Sequence, residues 1–274
     1  MSFSYRSGFL GRRKVRALEG LEIRIPRGRI AVLAGANGSG KTTLLRCLLG
    51  RHLPERGRIR VLGGEPGARE IASRIGFVGE GPLPFDRSSA RELCLLAGHL
   101  QGMAPSRIED RTLALLERFD LRDVADRSHR GFSTGMRRRL ALCLAFLHEP
   151  ELLLLDEPDA GLDPRGLVTL REELEAFRDR GGTALVATHS LAEFLELTDL
   201  LLLLDEGRLA AAGPPDRVFT RPGRWSLEVS GEMPGEDLLG AALGTLGLRL
   251  ERWGPARPDF PSWASARGGE GRKG

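Results

Sequence analysis

Cysteine is scarce in this 274-residue chain: Cys47, Cys94 and Cys143 are scattered, and no two form a CxxC pair. Each sits in a leucine-rich, helix-like stretch, which predicts three small buried apolar side chains in a reducing compartment rather than a disulfide framework. Long apolar runs are missing as well. "LVATHSL" (185–191) is interrupted by His189, and the five leucines at 200–204 stop at Asp205. Neither approaches the roughly 20 residues that a membrane-spanning helix needs. The opening "MSFSYRSGFLGRRKV" has no sustained apolar segment followed by small residues, so no signal peptide is expected and the chain is expected in the cytoplasm. Aromatic residues make up only 5%. No zinc spacing, no aromatic-plus-basic RNA signature and no fixed-period repeat is found, and a nucleic-acid partner is not expected. The net charge of +4 comes mostly from arginine, and "GRRKVR" (11–16) reads as a solvated loop close to a nucleotide.

What is present is an alternation of short apolar strands with amphipathic helices. Residues 21–25 alternate as a half-exposed strand, and Ile30–Ala34 form a continuous buried one. After a glycine-rich segment, Leu44, Leu45, Leu48 and Leu49 share one helix face that Gly50 ends. Residues 56–63 read as another alternating strand, and 75–86 as a strand start running into a Pro/Gly-rich loop. From about 87 to 149 the pattern is helical, and this block is long enough to be an inserted subdomain. Then follow a strand at 151–158, a helix at 167–182, a strand at 183–190, a helix at 191–198 and a hairpin at 199–213. Strands alternating with helices predict an α/β fold with a mostly parallel, covered sheet. The main domain is expected over 1–221, with a small strand–helix–strand appendage at 222–253. The Pro/Gly/Ser/Arg-rich residues 254–274 are expected to be a disordered tail.

The glycine-rich segment Gly35-Ala36-Asn37-Gly38-Ser39-Gly40-Lys41-Thr42 satisfies G-x-x-x-x-G-K-[ST] at every defined position, and Thr43 follows. Glycine reaches backbone angles closed to other residues. Successive N–H groups can then line a cup for phosphate oxygens. The helix that follows adds its free N-terminal donors and the positive end of its dipole. Lys41 brings a mobile positive charge to the β- and γ-phosphates, and the Thr42 hydroxyl has the reach to ligate Mg²⁺.

The "LLLLDEP" stretch supplies the acids. Asp156 ends a buried strand, so its carboxylate should emerge at the carboxyl edge of the sheet beside the phosphate loop, placed to hold Mg²⁺. Glu157, one residue on, can polarise the water that attacks the γ-phosphorus. The similar Asp205-Glu206 pair reads as two solvated acids at a strand end.

These motifs, in this order, resemble the ATP-binding subunit of ATP-binding-cassette (ABC) transporters over roughly residues 5–215. "FSTGMRRR" (132–139) is similar to the family signature, usually LSGGQ. "DAGLD" (159–163) resembles the loop that follows the second acid, and "THS" (188–190) carries the family's switch histidine, His189. The resemblance implies a P-loop NTPase (RecA-like) core, an N-terminal antiparallel β subdomain and an inserted α-helical subdomain. It implies a head-to-tail dimer in which Ser133 and Gly135 of one subunit cover the γ-phosphate of ATP bound to the other. His189 would act with Glu157 as the catalytic pair. Ser133 is in addition a good N-cap for a helix starting near Met136. An aromatic should stack on adenine, and Phe9 fits that spacing best, with Tyr5 as the alternative. Glu80, in "IGFVGE" (75–80), stands where the family usually has glutamine and is expected near the Mg²⁺. The partners implied are a second cassette, identical or paralogous, and a separate transmembrane permease that holds the subunit at the inner face of the membrane. The sequence looks most like ABC-2 exporters. A soluble ABC-type ATPase acting on ribosomes or DNA is the alternative, disfavoured by the single cassette and the short helical insertion.

Overall fold

The computed structural model describes residues 1–7 and 13–219, and Met1–Phe219 form one compact unit. Phe9, Gly11 and Arg12, the expected appendage at 222–253 and the expected tail at 254–274 lie outside the described residues. Residues 13–16, expected in a solvated loop, belong instead to a strand paired with the N-terminal one. Two antiparallel strands, β1 (Phe3–Ser7) and β2 (Arg13–Leu18), make the N-terminal β subdomain. The main sheet is built from β3 (Ile30–Ala34), β4 (Ile75–Val78), β5 (Leu152–Asp156), β6 (Thr183–Thr188), β7 (Leu200–Asp205) and β8 (Arg208–Gly213). These lie in the order β4-β5-β6-β3-β7-β8. All are parallel except β8, which returns antiparallel to β7 as the predicted hairpin.

Strand periodicity divides the core in two. Ile30 and Val32 of β3 and Leu153 and Leu155 of β5 pack on one face, while Ala31, Leu33, Leu152 and Leu154 pack on the other. The first face is covered by helices from the 87–149 block and beyond: α3 (Ala90–Leu100), α4 (Pro105–Arg118), α5 (Thr134–Leu147) and α6 (Pro164–Asp179). The second is covered by α1 (Lys41–Leu48) and by Leu18 of β2. Ser89 starts α3 with a capping box to Glu92, and Asp163 with Pro164 starts α6. Short helices α2 (Arg69–Ala72) and α7 (Pro215–Phe219) complete the unit. Cys47, Cys94 and Cys143 are all fully buried, as expected.

Three further local expectations are corrected. Residues 21–25 and 56–63 are not strands. Both line one cavity of about 620 Å³ floored by Leu44 and Leu48 of α1, and no ladder joins them. Their alternation marks apolar side chains (Leu21, Ile23, Ile25, Ile59, Val61) packed on the core between exposed polar ones, not strand pairing. Leu21 pairs instead with Met1, its N–H 2.9 Å from the Met1 carbonyl. Residues 191–198 are not an α-helix but two single 3₁₀ turns, Leu191–Glu193 and Leu195–Leu197. The buried Phe194 and Leu197 are spaced three apart, which a 3₁₀ turn stacks on one side, and the Thr198 hydroxyl closes the segment on the Phe194 carbonyl at 2.7 Å.

Candidate functional site

Strands β3, β5 and β6 are neighbours and parallel, so their carboxyl ends open on one edge. β3 runs straight into the glycine segment, β5 delivers Asp156 and Glu157, and β6 delivers Thr188 and His189. That edge is where an open α/β sheet gathers its ligand-binding groups.

The loop takes its shape from its glycines and its neighbours. Gly38 and Gly40 have φ of 81° and 108°. A Cβ on Gly40 would lie 2.7 Å from the Ala17 carbonyl oxygen, and one on Gly35 would lie 2.3 Å from that of Leu204. The hairpin turn after β7 props the loop from behind, with the Gly207 N–H donating to the Ser39 carbonyl at 2.9 Å. No side chain caps the first turn of α1, which has no acidic residue either, so its N–H groups remain available to an anion. Asn37 and Gly38 are exposed at the tip, Ala36 is half-buried, and Ser39 and Thr43 are buried. Lys41 is only 6% exposed. Its Nζ donates to the Gly35 and Ala36 carbonyls at 2.7 and 3.3 Å and lies 3.5 Å from Glu157 Oε1.

Asp156 is 1% exposed, and its Oδ1 is buried with no hydrogen-bond partner. Burial pushes its carboxyl above the ordinary range. The charges of Glu80 and Glu157 add to the rise, against a hydrogen bond from Thr42 and the charge of Lys41. An orphaned carboxylate oxygen beside a threonine hydroxyl is the kind of hard-oxygen set that suits Mg²⁺. Thr42 and Asp156 therefore fit that ion.

Glu157 has left-handed backbone, φ 48°, an uncommon conformation for a residue with a side chain. Its N–H still donates to Ala187 of β6 at 2.8 Å, so the bend comes just as the strand ladder ends. Its Oε2 lies 2.5 Å from His189 Nδ1 and accepts the His189 backbone N–H at 3.3 Å. A ring nitrogen facing a carboxylate carries the proton, so Nδ1–H donates and Nε2 is left for another partner. The turn beyond is tied to β6 through the Thr188 hydroxyl, which donates to Asp159 Oδ1 at 3.2 Å.

The signature motif is a capped helix start. Ser133 Oγ accepts from Met136 N–H at 3.2 Å, and α5 begins at Thr134, two residues earlier than expected. Gly135 is required by packing: a Cβ there would lie 2.7 Å from the Gly161 carbonyl oxygen, in the "DAGLD" turn.

The family model for ABC transporters matches residues 18–160, which include the phosphate loop, the signature and both acids. The daunorubicin resistance ATP-binding protein DrrA3 of Streptomyces coeruleorubidus is 37% identical over 85% of this chain and 74% of its own length. The Nod factor export ATP-binding protein I of Rhizobium sp. (strain N33) is 36% identical over 80% of this chain and 73% of its own. A solved structure described as the ATP binding subunit of an ABC transporter superposes with a TM-score of 0.71 at 29% identity, covering 79% of this chain and 90% of that one. A relative named for import, the nickel import ATP-binding protein NikO of Rhodobacter capsulatus, matches as well, 37% identical over 76% of this chain. The chain belongs to the ABC transporter ATP-binding family. It is an ATPase of that family, with the P-loop fold.

The remaining expectations meet this ABC ATPase unevenly. Glu80 is exposed two residues beyond β4, and its charge is felt at Asp156. Tyr5 is half-buried with its hydroxyl 3.2 Å from both Thr43 Oγ1 and His52 Nε2. Its ring stands edge-on to Phe3 and His52, each at an interplanar angle of 88°. The pair Asp205-Glu206 lies at the hairpin tip, as read, but the adjoining Gly207 supports the phosphate loop. That support and the inward-facing Arg138 and Arg139 were not predicted. Arg138 N–H groups reach the Gly79 and Ala160 carbonyls at 3.0 and 3.3 Å, and Arg139 reaches Asp163 Oδ1 at 2.6 Å. Helical phase gave no signal: three consecutive arginines span about 200° and leave a packed face opposite.

Proposed function

We propose that the chain is the ATP-hydrolysing subunit of a membrane exporter of the ABC-2 type, working as a dimer closed around two nucleotides. The observation that supports it most is the run Lys41–Glu157–His189 across three adjacent strand ends, beside a phosphate loop. Gly35–Thr43 cradle the ATP phosphates through backbone N–H groups, with Lys41 on the terminal phosphates. Glu157 takes a proton from the attacking water. His189, oriented by its Nδ1–H bond to Glu157, turns Nε2 toward the γ-phosphate. Thr42 and Asp156, with Glu80 nearby, would hold Mg²⁺, which when bound offsets charge on the phosphate oxygens. Ser133 and Gly135 of the second copy close the site over the γ-phosphate. Ser133 is exposed at the free tip of α5, available to such a partner.

No helix among the described residues is long and apolar enough to cross a membrane. As relatives named as ATP-binding proteins suggest, the pore of the proposed transporter is a separate permease, which would hold the subunit on the inner membrane face. Export follows the names of the drug-resistance and Nod factor relatives. Glu157→Gln protein with ATP and Mg²⁺ tests the sandwich: light scattering should give twice the monomer mass, and a persistent monomer overturns it. Purification from solubilised membranes together with a multi-helix membrane protein tests the permease, and recovery on ribosomes or DNA instead overturns it.

A further inference from the structure

Arg138 lies in the second turn of α5, five residues after Ser133, and it is only partly exposed. Its guanidinium reaches the loops that carry the acids. Its Nη1 donates to the carbonyl of Gly79, the residue immediately before Glu80, at 3.0 Å. Its Nε donates to the carbonyl of Ala160, three residues after Glu157, at 3.3 Å. One guanidinium thus joins the signature helix to the loop carrying Glu80 and to the turn that follows Glu157. Its neighbour Arg139 reaches instead Asp163 Oδ1 at 2.6 Å and Asp120 Oδ2 at 3.2 Å. Among the two, Arg138 alone reaches the Glu80 loop. Burial lowers the Arg138 pKa, and the charges of Asp159, Asp156, Glu80 and Glu157 push it back up. The guanidinium therefore lies in the field of four carboxylates.

We propose that Arg138 is a positioning residue for hydrolysis: its planar fork sets Glu80 and the Glu157 turn at fixed places relative to the signature helix. A movement of that helix is then carried to both acids through one side chain. The two acceptors are separate carbonyls met by two nitrogens of one rigid plane, so the fork matters as well as the charge. A lysine ammonium is a single point on a flexible stem and cannot reproduce it. The inference rests on the reading of Glu157 as the base.

The test is steady-state ATP hydrolysis by the purified full chain as wild type, Arg138→Lys, Arg138→Gln, Glu80→Gln and the Arg138→Gln/Glu80→Gln double variant. Both Arg138 variants should lose about tenfold or more in kcat, with KM for ATP within about threefold. Glu80→Gln should alter kcat in the wild-type background but change it less than about twofold when Arg138 is already gone, because Arg138 acts through the placement of Glu80. Wild-type kcat in Arg138→Lys overturns the fork. Independent, multiplying effects of the two sites, or a Glu80→Gln protein indistinguishable from wild type, overturn the route through Glu80. If Arg138→Gln does not fold, Arg138→Lys alone decides. Glu157→Gln separates the failures: an active Glu157→Gln sinks the reading of the base, whereas an inactive one beside a fully active Arg138→Lys sinks only the role of Arg138.

Discussion

His189 Nδ1 lies 2.5 Å from Glu157 Oε2, across the ends of two adjacent parallel strands. The Glu157 carboxylate also faces Lys41, so one side chain receives a donor from β6 and a cation from α1. In the proposed mechanism His189 is oriented by this contact and Glu157 transfers the proton.

His189→Ala should therefore lower kcat by about 10- to 100-fold while ATP affinity stays within about threefold. Hydrolysis rates beside equilibrium binding of a fluorescent ATP analogue check this. A matching fall in affinity would mean that His189 serves mainly to bind nucleotide.

Asp156 carries a buried, unpartnered oxygen, and its pKa is raised chiefly by burial. A carboxyl whose folded pKa lies above its unfolded one destabilises the fold when ionised, so at neutral pH the charge is a liability. Asp156→Asn should stabilise the nucleotide-free protein by about 1–2 kcal/mol and remove the gain in ATP affinity that Mg²⁺ confers. Thermal unfolding without nucleotide, and ATP binding with and without Mg²⁺, test the two halves.

Gly135 faces the Gly161 carbonyl so closely that a methyl group has no room. Gly135→Ala should destabilise the nucleotide-free chain by about 1–3 kcal/mol. An unchanged urea midpoint would leave Gly135 with a purely ligand-facing role.

His148, at the end of α5, donates from Nε2 to the Ile75 carbonyl at 3.2 Å, and burial lowers its pKa below 6.5. The unfolded chain takes up this proton near pH 6.5 while the folded one resists it. The stability contribution is thus complete above about pH 6.5 and shrinks as pH falls from there toward the lower folded pKa. His148→Gln should flatten the drop in urea midpoint between about pH 7 and 5 relative to wild type. Equal drops would place the pH dependence elsewhere.

The parallel core was legible because most of its strands are continuous apolar runs, as in Ile30–Ala34, and several end on a polar residue, as in Leu152–Asp156. The phosphate loop was legible residue by residue because each position answers a local demand of backbone angle, charge or hydroxyl. Residues 21–25 misled because period-two burial arises in any extended segment laid along a core, whether or not a ladder joins it. Arg138, Gly207 and the packing demand on Gly135 were hidden for another reason. Each depends on a carbonyl brought up from more than 20 residues away, or from the far end of the chain. Local pattern carries no record of such meetings.

Burial pushes the Cys47 thiol up to about 11 and that of Cys94 to about 12, with Cys143 also raised well above its usual value. At neutral pH none forms the thiolate that alkylating reagents attack. The native chain is thus a silent background for labelling. A cysteine introduced at an exposed position outside the nucleotide site, such as Leu100 at the end of α3, would be the one thiol a maleimide dye finds, and the closing of two copies could be followed by fluorescence with the site itself unaltered.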